Sequence, residues 1–212
     1  HFDHIGSLFA CLGLNMMMHR HQPMNIYGPP GTSKILDHLV AACDIPQATG
    51  FSVPGQTLPH PRDFINSRDI QPGEILYIDD IRISCCENTH YRPEDQFGKQ
   101  GPISLSYRFD APDRSMVFTG DTGPCLALEE FAKNADLLVG ELFDTELVIN
   151  RLRATNPDMS DHALLQMRQH FDEHHLTPED LGQLASRAGV QKVVAVHITF
   201  ITKNTEEDAK YV

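Results

Sequence analysis

Apolar and polar positions alternate over 74–78 and 80–87, the period of half-buried strands. The same alternation at 104–109 and 115–119, across the turn Ala111-Pro-Asp-Arg114, predicts a second strand pair. Short apolar runs at 25–27, 135–140 and 192–196 read as further strands, the last ending at His197. The compact apolar stretch 7–18 predicts a buried helix. Gly28-Pro-Pro-Gly31 ends the first strand, and Thr32 or Ser33 is expected to cap a helix running to about Ala42. Residues 126–133 predict another helix. Residues 145–175 are charged and helical, with Leu147, Ile149, Leu152, Leu164, Leu165 and Met167 expected to point inward. Thr177-Pro-Glu-Asp180 opens a last helix that stops at Ala188-Gly189. Residues 44–75, rich in Pro, Gly and polar groups, read as loops and short strands. Antiparallel units come first, and strands alternate with helices later. This order predicts one α/β domain over 1–212, with a helical insertion at about 145–175.

Composition fits an ordinary globular chain: 41% hydrophobic and 22% charged over 212 residues. The apolar runs are too short to span a bilayer, so no membrane partner is expected. The net charge of -12 weighs against a nucleic-acid partner, because phosphate binding draws on Lys and Arg. Five cysteines without a CxxC spacing read as reduced structural thiols and a cytoplasmic protein. The chain starts on a chemically loaded segment without Met, which predicts that its natural N-terminus lies further upstream.

The residues that carry chemistry gather at strand ends. His1-Phe2-Asp3-His4 is a dense cluster. His90 follows the strand at 81–87, Asp121 follows the strand at 115–119, and His197 ends the last strand. Ends of strands at one rim of a sheet converge in space, and imidazoles with carboxylates are ligands of choice for Zn²⁺ and related ions. Two other signals are weaker. Gly28-Pro-Pro-Gly-Thr-Ser-Lys34 is close to a phosphate-binding loop but lacks the Gly-Lys-Ser/Thr ending. The stretch 176–190 is close to a helix-turn-helix start but is followed by a strand.

The opening segment resembles the second part of the His-x-His-x-Asp-His motif of the metallo-β-lactamase superfamily, with His1 as the second His. Tyr27-Gly-Pro-Pro-Gly-Thr32, Ser106-Tyr-Arg-Phe109 and Phe118-Thr-Gly-Asp-Thr-Gly-Pro-Cys125 are similar to its ribonuclease Z and arylsulfatase-like branch. The resemblance implies a four-layer αββα sandwich with the metal site at one sheet edge. It implies two divalent cations, Zn²⁺ by default, with Mn, Fe or Ni as alternatives. His1 and His90 would hold one metal; Asp3, His4 and His197 would hold the other; Asp121 would bridge them. Two cations lower the pKa of a shared water to give hydroxide and polarise the scissile bond. The resemblance also assigns catalytic roles to Asp3, to His175 as proton donor to the leaving group, and to Glu141 as its orienting carboxylate.

Two departures from that branch stand out. Gly140 takes the place of a His, and Leu142-Phe143 takes the place of Ala-Thr. Neither a Gly- and Lys-rich insertion nor a Ser after His197 is present. The expectation is therefore a hydrolase of a small-molecule ester, lactone or phospho- or sulfo-ester. The alternatives are a tRNA 3′-processing endonuclease and a non-catalytic metal- or ligand-binding member. A homodimer is expected from the resemblance alone. Loops 44–75, 91–103 and 144–174 are expected to set substrate choice.

Overall fold

A computed structural model describes residues 1–50, 54–91 and 101–199. The chain divides into two compact units, His1–Gln71 and Pro72–Val212.

The first unit holds α1 (Phe2–Ile5), α2 (Leu8–Met17), β1 (Met24–Gly28), α3 (Thr32–Ala42), α4 (Asp44–Thr49), a short 3-10 turn at Pro61–Asp63, and β2 (Ile65–Asp69). β1 and β2 pair in parallel, Met24 opposite Ile65 and Gly28 opposite Asp69. Its small core is Leu12, Leu36 and Cys43, with Leu8, Ile26, Leu39, Val40 and Ile65 packed against it. Three sequence expectations change here. Asp3 and His4 lie on the one-turn helix α1, with His1 just before it. The helix α2 is amphipathic rather than buried all round: Leu12 and Met16 are covered, while Leu14 is 58% exposed. The loop region 44–75 contains α4, which its Pro content hides.

The start of α3 is not capped by Thr32 or Ser33. Gly31 turns the chain with φ +101, and the Asp69 carboxylate on β2 accepts hydrogen bonds from Gly31 N at 2.8 Å and Ser33 N at 2.7 Å. Those amides are the donors that a phosphate would otherwise take at a helix N-terminus. An internal carboxylate already fills the place, which explains physically why this near-phosphate loop is structural. The two backbone bonds also hold the Asp69 carboxyl below its ordinary pKa.

The second unit is built on a six-stranded sheet: β3 (Ile75–Ile78), β4 (Ile81–Glu87), β5 (Leu105–Asp110), β6 (Ser115–Phe118), β7 (Leu137–Leu142) and β8 (Lys192–Ile198), in that spatial order. The first four strands run antiparallel, and β6, β7 and β8 are parallel. The helices are α5 (Leu126–Phe131), α6 (Thr145–Thr155), α7 (Asp161–His174) and α8 (Pro178–Ala188). α8 buries Leu181, Leu184, Ala185 and Ala188, spaced three and four apart as one helical face requires. It starts with a reciprocal cap between Thr177 and Asp180 and stops at Gly189, φ +67. Its apolar face joins Val117, Leu128, Ala132, Ala135, Leu138, Leu142 and Leu176 in the main core.

The charged stretch expected at 145–175 is two helices. Pro157 cannot continue α6, and the Ser160 side chain accepts from Ala163 N at 3.2 Å to start α7. Val148, Ile149 and Leu164 are buried as helical spacing allows, but Leu165 is 62% exposed, against expectation. β7 extends two residues past the expected end, so Glu141 lies within the strand. None of the five cysteines is in a disulfide. Burial pushes the Cys86 thiol up to about 12 and raises Cys43 and Cys85 as well, which keeps these sulfurs protonated. Among the described residues no helix is long and apolar enough to cross a membrane.

Candidate metal centre

Strand ends of the second unit deliver most of the chemistry. β6 ends at Phe118, and Gly120, φ +62, turns the chain so that Asp121 enters the interior at 6% exposure. β4 ends at Glu87, and His90 follows, 6% exposed. Asn88 ties this corner together: its amide donates to Ser106 Oγ at 3.1 Å and to the Thr119 carbonyl at 3.0 Å, while its Oδ1 accepts from His90 N at 3.2 Å.

His197 arrives by a different device. Glu141 pairs with Val196 and Leu142 with Ile198, so His197 is the extra residue of a β-bulge. Its φ is +49, unusual for a side chain with a Cβ. Bulges re-aim side chains next to active sites. Here the bulge accompanies a His197 Nε2 that stands 3.7 Å from Asp121 Oδ2.

His90 Nε2 stands 3.9 Å from the same Asp121 oxygen. Both separations exceed ordinary hydrogen-bond lengths. Donors on a tetrahedral Zn²⁺ with bonds of about 2.0–2.1 Å stand ~3.4 Å apart, so the spacing is close to what a shared cation needs. The tautomer of His90 also fits. Its Nδ1 faces the His174 carbonyl at 3.0 Å, and a carbonyl only accepts, so Nδ1 carries the proton and Nε2 offers its lone pair. Burial lowers the His90 pKa, opposed by that carbonyl contact, which favours the neutral imidazole a metal requires. Each of the two imidazole nitrogens, taken with the Asp121 carboxylate oxygen, is thus a donor pair suited to a divalent cation.

Beside this cluster lies a second pair. His175 Nδ1 is 2.8 Å from Glu141 Oε2. Glu141 is 2% exposed, and its Oε1 accepts from Thr122 N at 2.5 Å. Burial pushes the Glu141 carboxyl upward, and His175 pulls it back. Asp121, Glu141 and His175 present donor atoms that all lie within 4.8 Å of one another. The Phe143 ring stacks on His175 with centroids 4.6 Å apart and planes at 22°, and the His90 ring lies 5.0 Å from His175 edge-on.

Of the residues singled out from the sequence, the second unit brings together His90, Asp121, Glu141, His175 and His197. His1, Asp3 and His4 stand in the first unit, where His4 Nε2 is 3.8 Å from Asp3 Oδ2. Sequence reasoning missed Phe143, Asn88 and the backbone of Thr122. Phe143 had a signal: it lies two residues after Glu141, hence on the same face of an extended chain. Gly140, which departs from the branch pattern, has a packing reason. A Cβ there would meet Leu181 Cδ1 at 2.4 Å, so glycine lets α8 pack directly on β7.

Residues 1–198 match the beta-lactamase superfamily domain. A ribonuclease Z of Mycobacterium avium is 26% identical over 200 residues, covering 93% of this chain and 64% of that protein. A ribonuclease Z of Mycolicibacterium gilvum is 24% identical over 191 residues, covering 88% of this chain and 57% of its own length. The chain thus spans less than two thirds of these curated relatives. Among solved structures, a metallo-β-lactamase fold protein of Bacillus subtilis aligns with TM-score 0.58 at 16% identity, covering 100% of this chain and 68% of that one. Human tRNase Z, short form, aligns with TM-score 0.56 at 16% identity, covering 94% and 70%.

Proposed function

The chain belongs to the metallo-β-lactamase superfamily, and from that premise we propose that it is a metal-dependent hydrolase of phosphoester bonds. The observation that carries the reading is the buried Glu141–His175 pair set beside His90 and Asp121. His90 would hold one metal and His197 a second, with Asp121 a ligand of both. His1, Asp3 and His4 enter as further ligands on the strength of the motif and of a family match that starts at residue 1. Bound divalent cations, Zn²⁺ by default, would supply an activated water and polarise the ester.

The rest of the chemistry belongs to side chains. Glu141 accepts from Nδ1 of His175 and would stabilise the imidazolium form of the ring, in which Nε2 carries a proton as well. That proton is the one a departing alkoxide needs. Phe143 covers one face of the imidazole. Asp3 serves as ligand and catalytic carboxylate in this reading, which treats the chain as one functional domain with 145–175 as an insertion.

Two substrate classes compete. The sequence departures favour a small-molecule ester, but the relatives are ribonucleases Z and give that preference no support. A phosphodiester is common to both. We place an RNA phosphodiester first, because it agrees with the relatives, and a small-molecule phosphodiester second. The test is parallel assay of precursor tRNA, bis-p-nitrophenyl phosphate and a lactone panel. Cleavage of precursor tRNA supports the first reading. Activity on bis-p-nitrophenyl phosphate without tRNA cleavage supports the second. Activity on lactones alone, or on none, overturns the phosphoesterase proposal.

A further inference from the structure

α7 ends beside the site, and its last residue and the residue that follows turn to different partners. His174 is the final helical residue; His175 is already extended, with φ -135 and ψ 156. The His175 ring goes to Glu141. The His174 ring goes to the corner that carries His90: its Nδ1 lies 3.2 Å from the Thr89 carbonyl, which makes Nδ1 the donor. The His174 carbonyl in turn accepts from His90 Nδ1 at 3.0 Å. Residue 174 therefore grips the 89–90 corner twice, once by its ring and once by its backbone, and is itself only 8% exposed.

The fit on the other side of this turn is equally tight. A Cβ on Gly123 would lie 1.9 Å from the Glu173 carbonyl oxygen, a backbone atom that cannot move aside alone. Thr89 N also donates to Thr122 Oγ1 at 3.3 Å, so both chains that border the turn are joined to each other.

We propose that His174 is a positioning residue that couples the two halves of the chemistry: by clamping Thr89 and His90 it fixes the orientation of a metal ligand and, through the adjacent peptide, the placement of the proton donor His175. The inference rests on the proposed function for the roles of His90 and His175. A ligand's second nitrogen must be held for its first to point correctly, and loss of such partners costs about 10- to 100-fold in metal affinity or activity.

The test uses two substitutions of similar size. In His174→Asn the amide nitrogen occupies the place of Nδ1 and keeps the bond to Thr89. In His174→Gln the amide is carried one bond further, toward the place of Nε2, and the bond is lost. Zinc affinity is read by competition with a chromophoric chelator on the full chain, independent of turnover. The expected result is near wild-type affinity for Asn and about 10- to 100-fold weaker affinity for Gln. Rates on a series of phosphodiesters of rising leaving-group pKa should fall more steeply for Gln than for wild type or Asn, because a misplaced His175 matters most for poor leaving groups. Equal zinc affinity and equal leaving-group dependence in Gln and wild type would overturn the proposal. So would an Asn variant as impaired as Gln, since the ring's bulk and not its bond would then matter. If wild type hydrolyses no phosphodiester, the proposed function fails, and the zinc comparison still decides the role of His174.

Discussion

Nδ1 of His175 lies 2.8 Å from Oε2 of Glu141, and that carboxylate is 2% exposed. Burying a carboxylate is costly unless it is paired and hydrogen-bonded. Glu141 meets the condition with His175 on one oxygen and Thr122 N on the other. The carboxylate is held by strand and loop backbone, so the imidazole it orients is held as well.

Replacing Glu141 by Gln keeps the shape and removes the charge. Turnover of a phosphodiester with a poor leaving group should fall by about 100- to 10,000-fold, the usual worth of positioned acid-base groups. A p-nitrophenyl ester should be slowed far less. Equal losses on both substrates would mean that Glu141 supports the fold and not proton transfer.

His197 carries a backbone prediction. A left-handed residue with a Cβ costs roughly 1–2 kcal/mol relative to glycine. Metal-free His197→Gly should therefore unfold at a higher denaturant concentration than metal-free His197→Ala, by about 1 kcal/mol in stability. Both variants should lose activity. Equal stabilities would show that the bulge is not strained.

Gly140 and Leu181 should behave as a coupled pair. Gly140→Ala drives a Cβ toward Leu181 Cδ1 and should cost about 1–3 kcal/mol. Leu181→Ala empties part of the core and should cost about 2–5 kcal/mol. The double substitution should cost less than the sum, since the new methyl enters space that Leu181 vacates. Strict additivity in urea unfolding would contradict the contact.

Asp69 gives a pH-dependent stability. Its carboxyl is held below the ordinary value by the amides of Ser33 and Gly31. A depressed carboxylate contributes stability above its unfolded pKa of about 3.9, and that contribution is lost as pH falls through the lower folded value. Asp69→Ala should therefore cost about 1–2 kcal/mol at neutral pH, and the gap to wild type should close in strong acid. A gap that stays constant down to about pH 2 would mean that the difference does not come from the ionised carboxylate.

Much of this was legible in the sequence. Alternating apolar positions gave the antiparallel strands of the second unit, because a half-buried strand must repeat every two residues. Thr177-Pro-Glu-Asp180 and Gly189 marked both ends of α8, because caps are local chemistry. His90, Asp121, His197, Glu141 and His175 stood out as reactive types at or near strand ends, and the second unit brings them together. What stayed hidden was non-local. The cap of α3 comes from Asp69, 38 residues from Gly31. The bulge that sets His197 is a register shift between two strands, invisible along either one. Leu165 satisfied helical spacing yet faces solvent, since spacing defines a face without saying what covers it. The expected loops include 51–53 and 92–100, which lie outside the described residues.

The most direct measurement is the metal content of the full chain and of Asp121→Ala by elemental analysis, alongside phosphodiester hydrolysis before and after chelation. The wild-type chain should hold close to two divalent ions, Asp121→Ala should lose metal clearly, and activity should disappear on chelation and return with Zn²⁺. A wild-type chain that retains no metal, or hydrolysis that survives both chelation and the loss of Asp121, would contradict the metal-dependent reading.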